Sequence, residues 1–204
     1  MNRKNAADIL FASGVVASGA CRPEQWRIKC ESSLLTTWTP ILRPAPASLA
    51  QWHSTWAPLG VSHGVVVQPS IYGTDNRVLL HALAQAPDRL VGIAAVSANV
   101  TDAELDHLAA SGVRGVRMAH FEAGDPRARG GFVPFSAFNA LEDRLQARGL
   151  HLNLFTDSRL LPALANRLAR ATVPVVIDHM GRTPVQVGLA HAGFRALCEL
   201  LHSG

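Results

Sequence analysis

The chain has 204 residues, 48% of them hydrophobic and 17% charged, a composition that fits one compact domain and excludes a disordered or fibrous chain. A complete (β/α)8 barrel takes about 250 residues, so any barrel here is expected to lack parts. The formal charge is +4, but the basic residues are scattered, without the runs of about 5–8 Lys/Arg that mark a nucleic-acid patch, and nucleic acid is not an expected partner.

At the N-terminus Arg3 and Lys4 precede an apolar stretch, Ile9 to Ala20, that ends in small residues before Cys21. This has some of the look of a signal peptide, but Asp8 opens the stretch and Ser13 and Gly14 interrupt it. No stretch reaches the roughly 18 apolar residues of a membrane span. Cys21, Cys30 and Cys198 are an odd number with no CxxC, which argues against a disulfide framework or a thiolate metal site and for a reducing, cytoplasmic setting. Residues 1–45 show no sustained period and are read as an irregular N-terminal segment. Residues 46–204 are read as one partial barrel domain.

From residue 46 onward, short β-branched runs alternate with segments of helical period. The predicted strands are Gly64–Gln68, Leu90–Val96, Gly112–Met118, Leu150–Phe155 and Val173–Asp178. Their spacing suits parallel strands joined by crossover helices. Leu49 to Trp56 reads as a helix. Thr101-Asp-Ala-Glu104 is a capping box ahead of Leu105 and Leu108. Pro134 suits a first turn before the stripe Phe135, Phe138, Leu141 and Leu145, and Leu160, Leu161, Leu164 and Leu168 form another apolar stripe. The fold class is therefore α/β, an incomplete (β/α)8 barrel of about six βα units.

Gly60-Val-Ser-His-Gly64 matches the nucleophile-elbow pattern, but that elbow needs a strand before the Ser and a helix after it, and here the order is reversed. Ser62 is read as part of a turn. In parallel α/β folds the C-terminal strand ends carry the site. Those ends are Gln68 to Asn76, Arg117 to His120, Asn153 to Asp157 and Asp178 to Arg182. Alternation puts Val116 and Met118 on one face and Val113, Gly115 and Arg117 on the other. If Val116 and Met118 meet the helices, Arg117 points into the barrel and needs an anionic partner, either a ligand or a structural carboxylate. Asp178-His179-Met180-Gly181-Arg182 offers an acid, an imidazole and a guanidinium; the plainer reading makes Asp178 a turn cap and His179 a core histidine. The basic excess is almost all Arg, which suits anionic small molecules.

Val65 to Asn76, Gly112 to Arg117 and Val175 to Arg182 resemble three motifs, in order and spacing, of the amidohydrolase-related family that includes 2-pyrone-4,6-dicarboxylate lactonase. The resemblance implies a TIM-barrel hydrolase acting on lactone or ester bonds of carboxylate-bearing substrates. It implies that Ser70, Tyr72 and Thr74 lie in the loop after the second strand and that Arg117 holds a substrate carboxylate. His179 would be the catalytic residue at the reacting group, and Arg182 would contact a second carboxylate. The family's His-x-His after the first strand and the aspartate of its last strand have no counterpart in this sequence, and the abrupt change between Cys21 and residue 46 resembles a shifted reading frame or an altered exon. Family members often use a divalent metal, but without His-x-His only His179 remains as a ligand, so no metal site and no cofactor are expected. The alternative is an inactive remnant that at most binds small carboxylates. Open strand edges are expected to promote self-association or aggregation.

Overall fold

The computed structural model describes residues 11–12, 48–125 and 131–203. Six parallel strands lie in sequential order: β1 (Phe11–Ala12), β2 (Gly64–Val67), β3 (Leu90–Ala94), β4 (Val113–His120), β5 (His151–Thr156) and β6 (Val175–Ile177). The helices are α1 (Leu49–Trp56), α2 (Arg77–Gln85), α3 (Asp102–Ala110), α4 (Phe138–Gln146), α5 (Leu161–Leu168) and α6 (Ala192–Ser203). The main core holds Leu79 and Leu83 of α2, Leu105 of α3, Leu141 of α4, Leu161 of α5 and Leu197 of α6 against Ala94, Val116, Met118, Leu152 and Leu154 of the sheet. Among the described residues helices thus cover one face only, and sequential parallel strands covered on one face are the pattern of a (β/α)8-type barrel rather than of a doubly wound sheet. The other face carries a small apolar cluster, Val65, Val67 and Ile93 with Val91 beside it.

Local chemistry sets the element ends. Ser48 and Gln51 cap α1 reciprocally, as Thr101 and Glu104 cap α3. Pro134 precedes a 3-10 turn, Phe135–Ala137, that runs into α4. One expectation, the face given to Val113, needs correction, and two further features bear on the sequence reading. Phe11–Ala12, inside the segment read as irregular, pairs with Val65 and Val66 as β1; Cys21, Cys30 and the rest of 13–45 lie outside the described residues. Val113 does not share a face with Arg117: the register steps from Gly92↔Val113 to Ile93↔Gly115. One extra residue, Arg114, resets the alternation at this bulge and leaves Val113 in the helix-side core. Several arginines also hold helices rather than ligands. Arg144 Nε donates to Asp102 at 2.9 Å and Arg148 Nε to Asp106 at 2.7 Å, tying α4 to α3, while Arg167 reaches back from α5 to Glu142 at 2.5 Å.

Ser62 precedes β2 in an exposed loop, its hydroxyl 2.8 Å from His63 Nδ1, so the turn reading stands. Among the described residues no helix is long and apolar enough to cross a membrane.

Candidate functional site

Val116 and Met118 are fully buried against the helices, and Arg117 faces the inside of the sheet. Its NH2 group donates to Asp178 Oδ2 at 2.9 Å and its NH1 group to the Gln68 carbonyl at 3.4 Å. Its guanidinium carbon lies 5.0 Å from the centre of the Phe155 ring and 5.6 Å from that of Phe132. Burial pushes the Arg117 pKa down, and the adjacent Asp178 carboxylate opposes that fall. Asp178 is thus the counter-ion of Arg117.

That turn is left-handed. His179, Met180, Gly181 and Arg182 have φ of 51°, 52°, 62° and 50°. The conformation costs an L-residue about 1–2 kcal/mol, and only Gly181 adopts it freely. The Thr183 hydroxyl donates to the Met180 carbonyl at 3.0 Å and helps to hold the turn. As a result Asp178 is buried, Met180 faces solvent, and His179 and Arg182 return to the same aromatic ring. The His179 ring meets Phe155 edge-on at 5.4 Å, with its Nε2 3.8 Å from Asp178 Oδ2. The Arg182 guanidinium carbon is 5.5 Å from the Phe155 centre, and its Nε donates to Asp157 at 3.2 Å. Side-chain exposure of 38% separates His179 from a core histidine.

Three of the predicted residues, Arg117, His179 and Arg182, therefore converge on Phe155. Ser70, Tyr72 and Thr74 lie on the loop after β2. Gln68 Nε2 donates to the Gly73 and Asp75 carbonyls at 3.2 and 2.8 Å, and Asn76 bonds the Ala95 carbonyl and N–H at 2.8 and 3.1 Å. These two amides fasten the loop across the ends of β2 and β3. Gly131 packs on the same loop at φ 72°, where a Cβ would stand 2.6 Å from the Ser70 carbonyl oxygen. The returning segment brings Phe132 to Phe121 and Phe155, with ring centres 5.4–5.5 Å apart.

Sequence reasoning missed Phe121, Phe132 and the inner-face His151 of β5, and it marked the strand end from Asn153 to Asp157 without giving Asn153 or Phe155 a role. The signal was a polar residue in Leu152-Asn-Leu154, alternating with Phe155. Burial lowers the pKa of His151, opposed by a hydrogen bond with the Arg114 backbone. A histidine kept neutral by the fold takes up a proton more readily when unfolded, so stability falls as pH drops below about 6.5 toward the folded value. His151→Gln is expected to flatten the loss between pH 7.5 and 5, measured as urea midpoints; an unchanged slope would remove His151 as its source.

Among the described residues no three His, Cys, Asp or Glu side chains converge as metal ligands, and Asp157 and Asp178 are both engaged by arginine. These residues do not fit a divalent cation.

A family model described as Amidohydrolase matches residues 42–204. The chain is 32% identical over 158 residues to the 2-pyrone-4,6-dicarbaxylate hydrolase of Comamonas testosteroni, covering 78% of this chain and 50% of that protein. It is 31% identical over 143 residues to a 4-sulfomuconolactone hydrolase of Hydrogenophaga intermedia, covering 70% and 46%. The chain thus spans about half the length of the curated relatives it matches. The solved structure of a putative 2-pyrone-4,6-dicarboxylic acid hydrolase from Pseudomonas putida superposes with a TM-score of 0.66 at 35% identity, covering 77% of this chain and 56% of that one. A probable 2-pyrone-4,6-dicarboxylic acid hydrolase from Acinetobacter baumannii, solved with citric acid bound, gives 0.65 at 29% identity, covering 79% and 60%. With the parallel half-barrel and the convergent strand ends already in view, the match over residues 42–204 settles the family: the chain belongs to the amidohydrolases.

Proposed function

We propose that the strand ends form a hydrolytic site for lactone or ester bonds of small carboxylate-bearing substrates, as the names of the relatives imply for those proteins. The observation that carries this reading is the gathering of Arg117, Arg182 and His179 around Phe155. Guanidinium groups match carboxylates in charge and fork geometry, and an aromatic floor suits a flat ring. His179, with 38% of its side chain exposed, can polarise a scissile carbonyl or donate to the oxyanion that forms when water attacks it. Ser70, Tyr72 and Thr74 supply polar contacts from the neighbouring loop. Incubation with 2-pyrone-4,6-dicarboxylate and simple lactones, followed by absorbance, should show ring opening; no turnover with any of them would remove the catalytic reading.

One observation favours a second reading, a remnant that binds small carboxylates without turnover: this sequence contains no His-x-His of the kind the family carries after its first strand. Calorimetry with a dicarboxylate separates the two, since binding without turnover fits only the second.

We further propose self-association. Among the described residues β6 pairs with β5 alone, and Val185, Leu189 and Leu201 beyond it are exposed. Unpaired edges and apolar surface template association. Light scattering during size-exclusion chromatography is expected to give a mass above the 21.8 kDa of one chain; a monodisperse monomer would refute this.

A further inference from the structure

Asn153 is fully buried, and neither its amide nitrogen nor its amide oxygen has a hydrogen-bond partner. It stands on the inner face of β5 in register with Arg117 on β4, whose Nε–H is likewise buried without a partner. The other nitrogens of that guanidinium are spoken for: NH2 by Asp178 and NH1 by the Gln68 carbonyl. The two orphaned groups therefore belong to register-paired residues of neighbouring strands. Asn153 precedes Phe155 by two residues on the same strand face, and so lies about 6–7 Å deeper along the strand than the ring on which His179 and Arg182 converge.

A buried polar atom without a partner costs about 1–3 kcal/mol, and in a folded protein a water or a ligand group is one way to satisfy it. The chemistry of these groups says which. Asn Nδ2–H and Arg Nε–H are both donors, and two neighbouring donors suit one acceptor oxygen. The Asn oxygen remains to accept from a hydroxyl or a water.

We propose that Asn153 and the Arg117 Nε form an inner oxygen-binding subsite, which seats a carboxylate or carbonyl oxygen of the small carboxylate ligand. The assignment rests on the carboxylate reading of the site and adds a specificity-determining residue to it. Water alone could satisfy the same donors, and the test separates the two sources.

The probe is isophthalate, a planar dicarboxylate, titrated into the 15N-labelled full chain while the Asn153 side-chain amide is followed by NMR and affinity by calorimetry. Asn153→Leu keeps the volume nearly constant and removes both orphaned atoms. The expected result is that isophthalate shifts the Asn153 amide signal. Asn153→Leu should melt no lower than the parent and bind isophthalate at least about tenfold more weakly, the size of effect expected for losing a hydrogen bond to a charged group. If isophthalate binds but the amide signal stays and the variant binds within twofold of the parent, the subsite holds only water and the proposal falls while the carboxylate reading survives. If the parent fails to bind isophthalate at all, the carboxylate reading falls and takes the subsite with it. A variant that melts lower with unchanged affinity gives Asn153 a structural role and overturns the proposal. If the variant does not fold, the amide signal of the parent decides.

Discussion

Replacing Arg117 by Met is expected to lower folding stability by about 3–5 kcal/mol, the cost of leaving one member of a buried ion pair without the other. Asp178 is the stranded partner. Its side chain is only 7% exposed, and its nearest remaining cationic candidate is His179, 3.8 Å away and partly in solvent. The double variant Arg117→Met/Asp178→Leu removes both charges and should regain most of that loss, because apolar replacement of a whole buried pair is often neutral. Carboxylate binding should not return with it. The pair of variants thus separates the two roles of Arg117: stability follows the pairing with Asp178, and ligand affinity follows the guanidinium itself. Urea midpoints and calorimetry report them independently. A single variant as stable as the parent would mean that the 2.9 Å contact contributes little and that Asp178 is better solvated than its burial implies.

The features readable in the sequence are those set by local period and local chemistry. The five predicted strands from residue 64 onward all form, because each is a β-branched or leucine-rich run bounded by turn residues, and the capping box at Thr101 forms because its two bonds span three residues. Alternation along β4 turned Arg117 inward correctly, since Val116 and Met118 follow the bulge. It misplaced Val113, which precedes the bulge, because the extra residue is decided by pairing with β3 and leaves no mark in β4 itself. Long-range choices were equally hidden. Arg117 is 61 residues from Asp178, and Arg182 is 25 from Asp157, so the sequence could demand an anion near Arg117 without saying which. The left-handed turn carries one glycine, Gly181, and three residues that give no hint of positive φ. Its cost is borne because it brings His179 and Arg182 back to Phe155, and strain of this kind gathers where a chain holds functional groups.

Gly193→Ala sets two known effects against each other, and their sizes predict which prevails. Alanine in place of glycine within a helix is worth about 1 kcal/mol in favour of folding, and Gly193 stands in the first turn of α6, where its N–H donates to His191 Nδ1 at 3.2 Å. Against this, a Cβ at residue 193 would run into the Ser158 carbonyl oxygen and stand 2.5 Å from the carbonyl carbon. Both obstacles are backbone, so no rotamer change relieves them, and overpacking of this kind costs about 1–3 kcal/mol or more. The clash should win, and the variant should melt lower than the parent. The damage should reach the site, because Ser158 is buried directly after Asp157, the residue that holds Arg182 over Phe155. Moving α6 off the Ser158 backbone would loosen that anchor, so isophthalate affinity should fall together with the melting temperature. A variant that melts higher would show that α6 yields at no cost, and that the contact with Ser158 does not fix the position of Arg182.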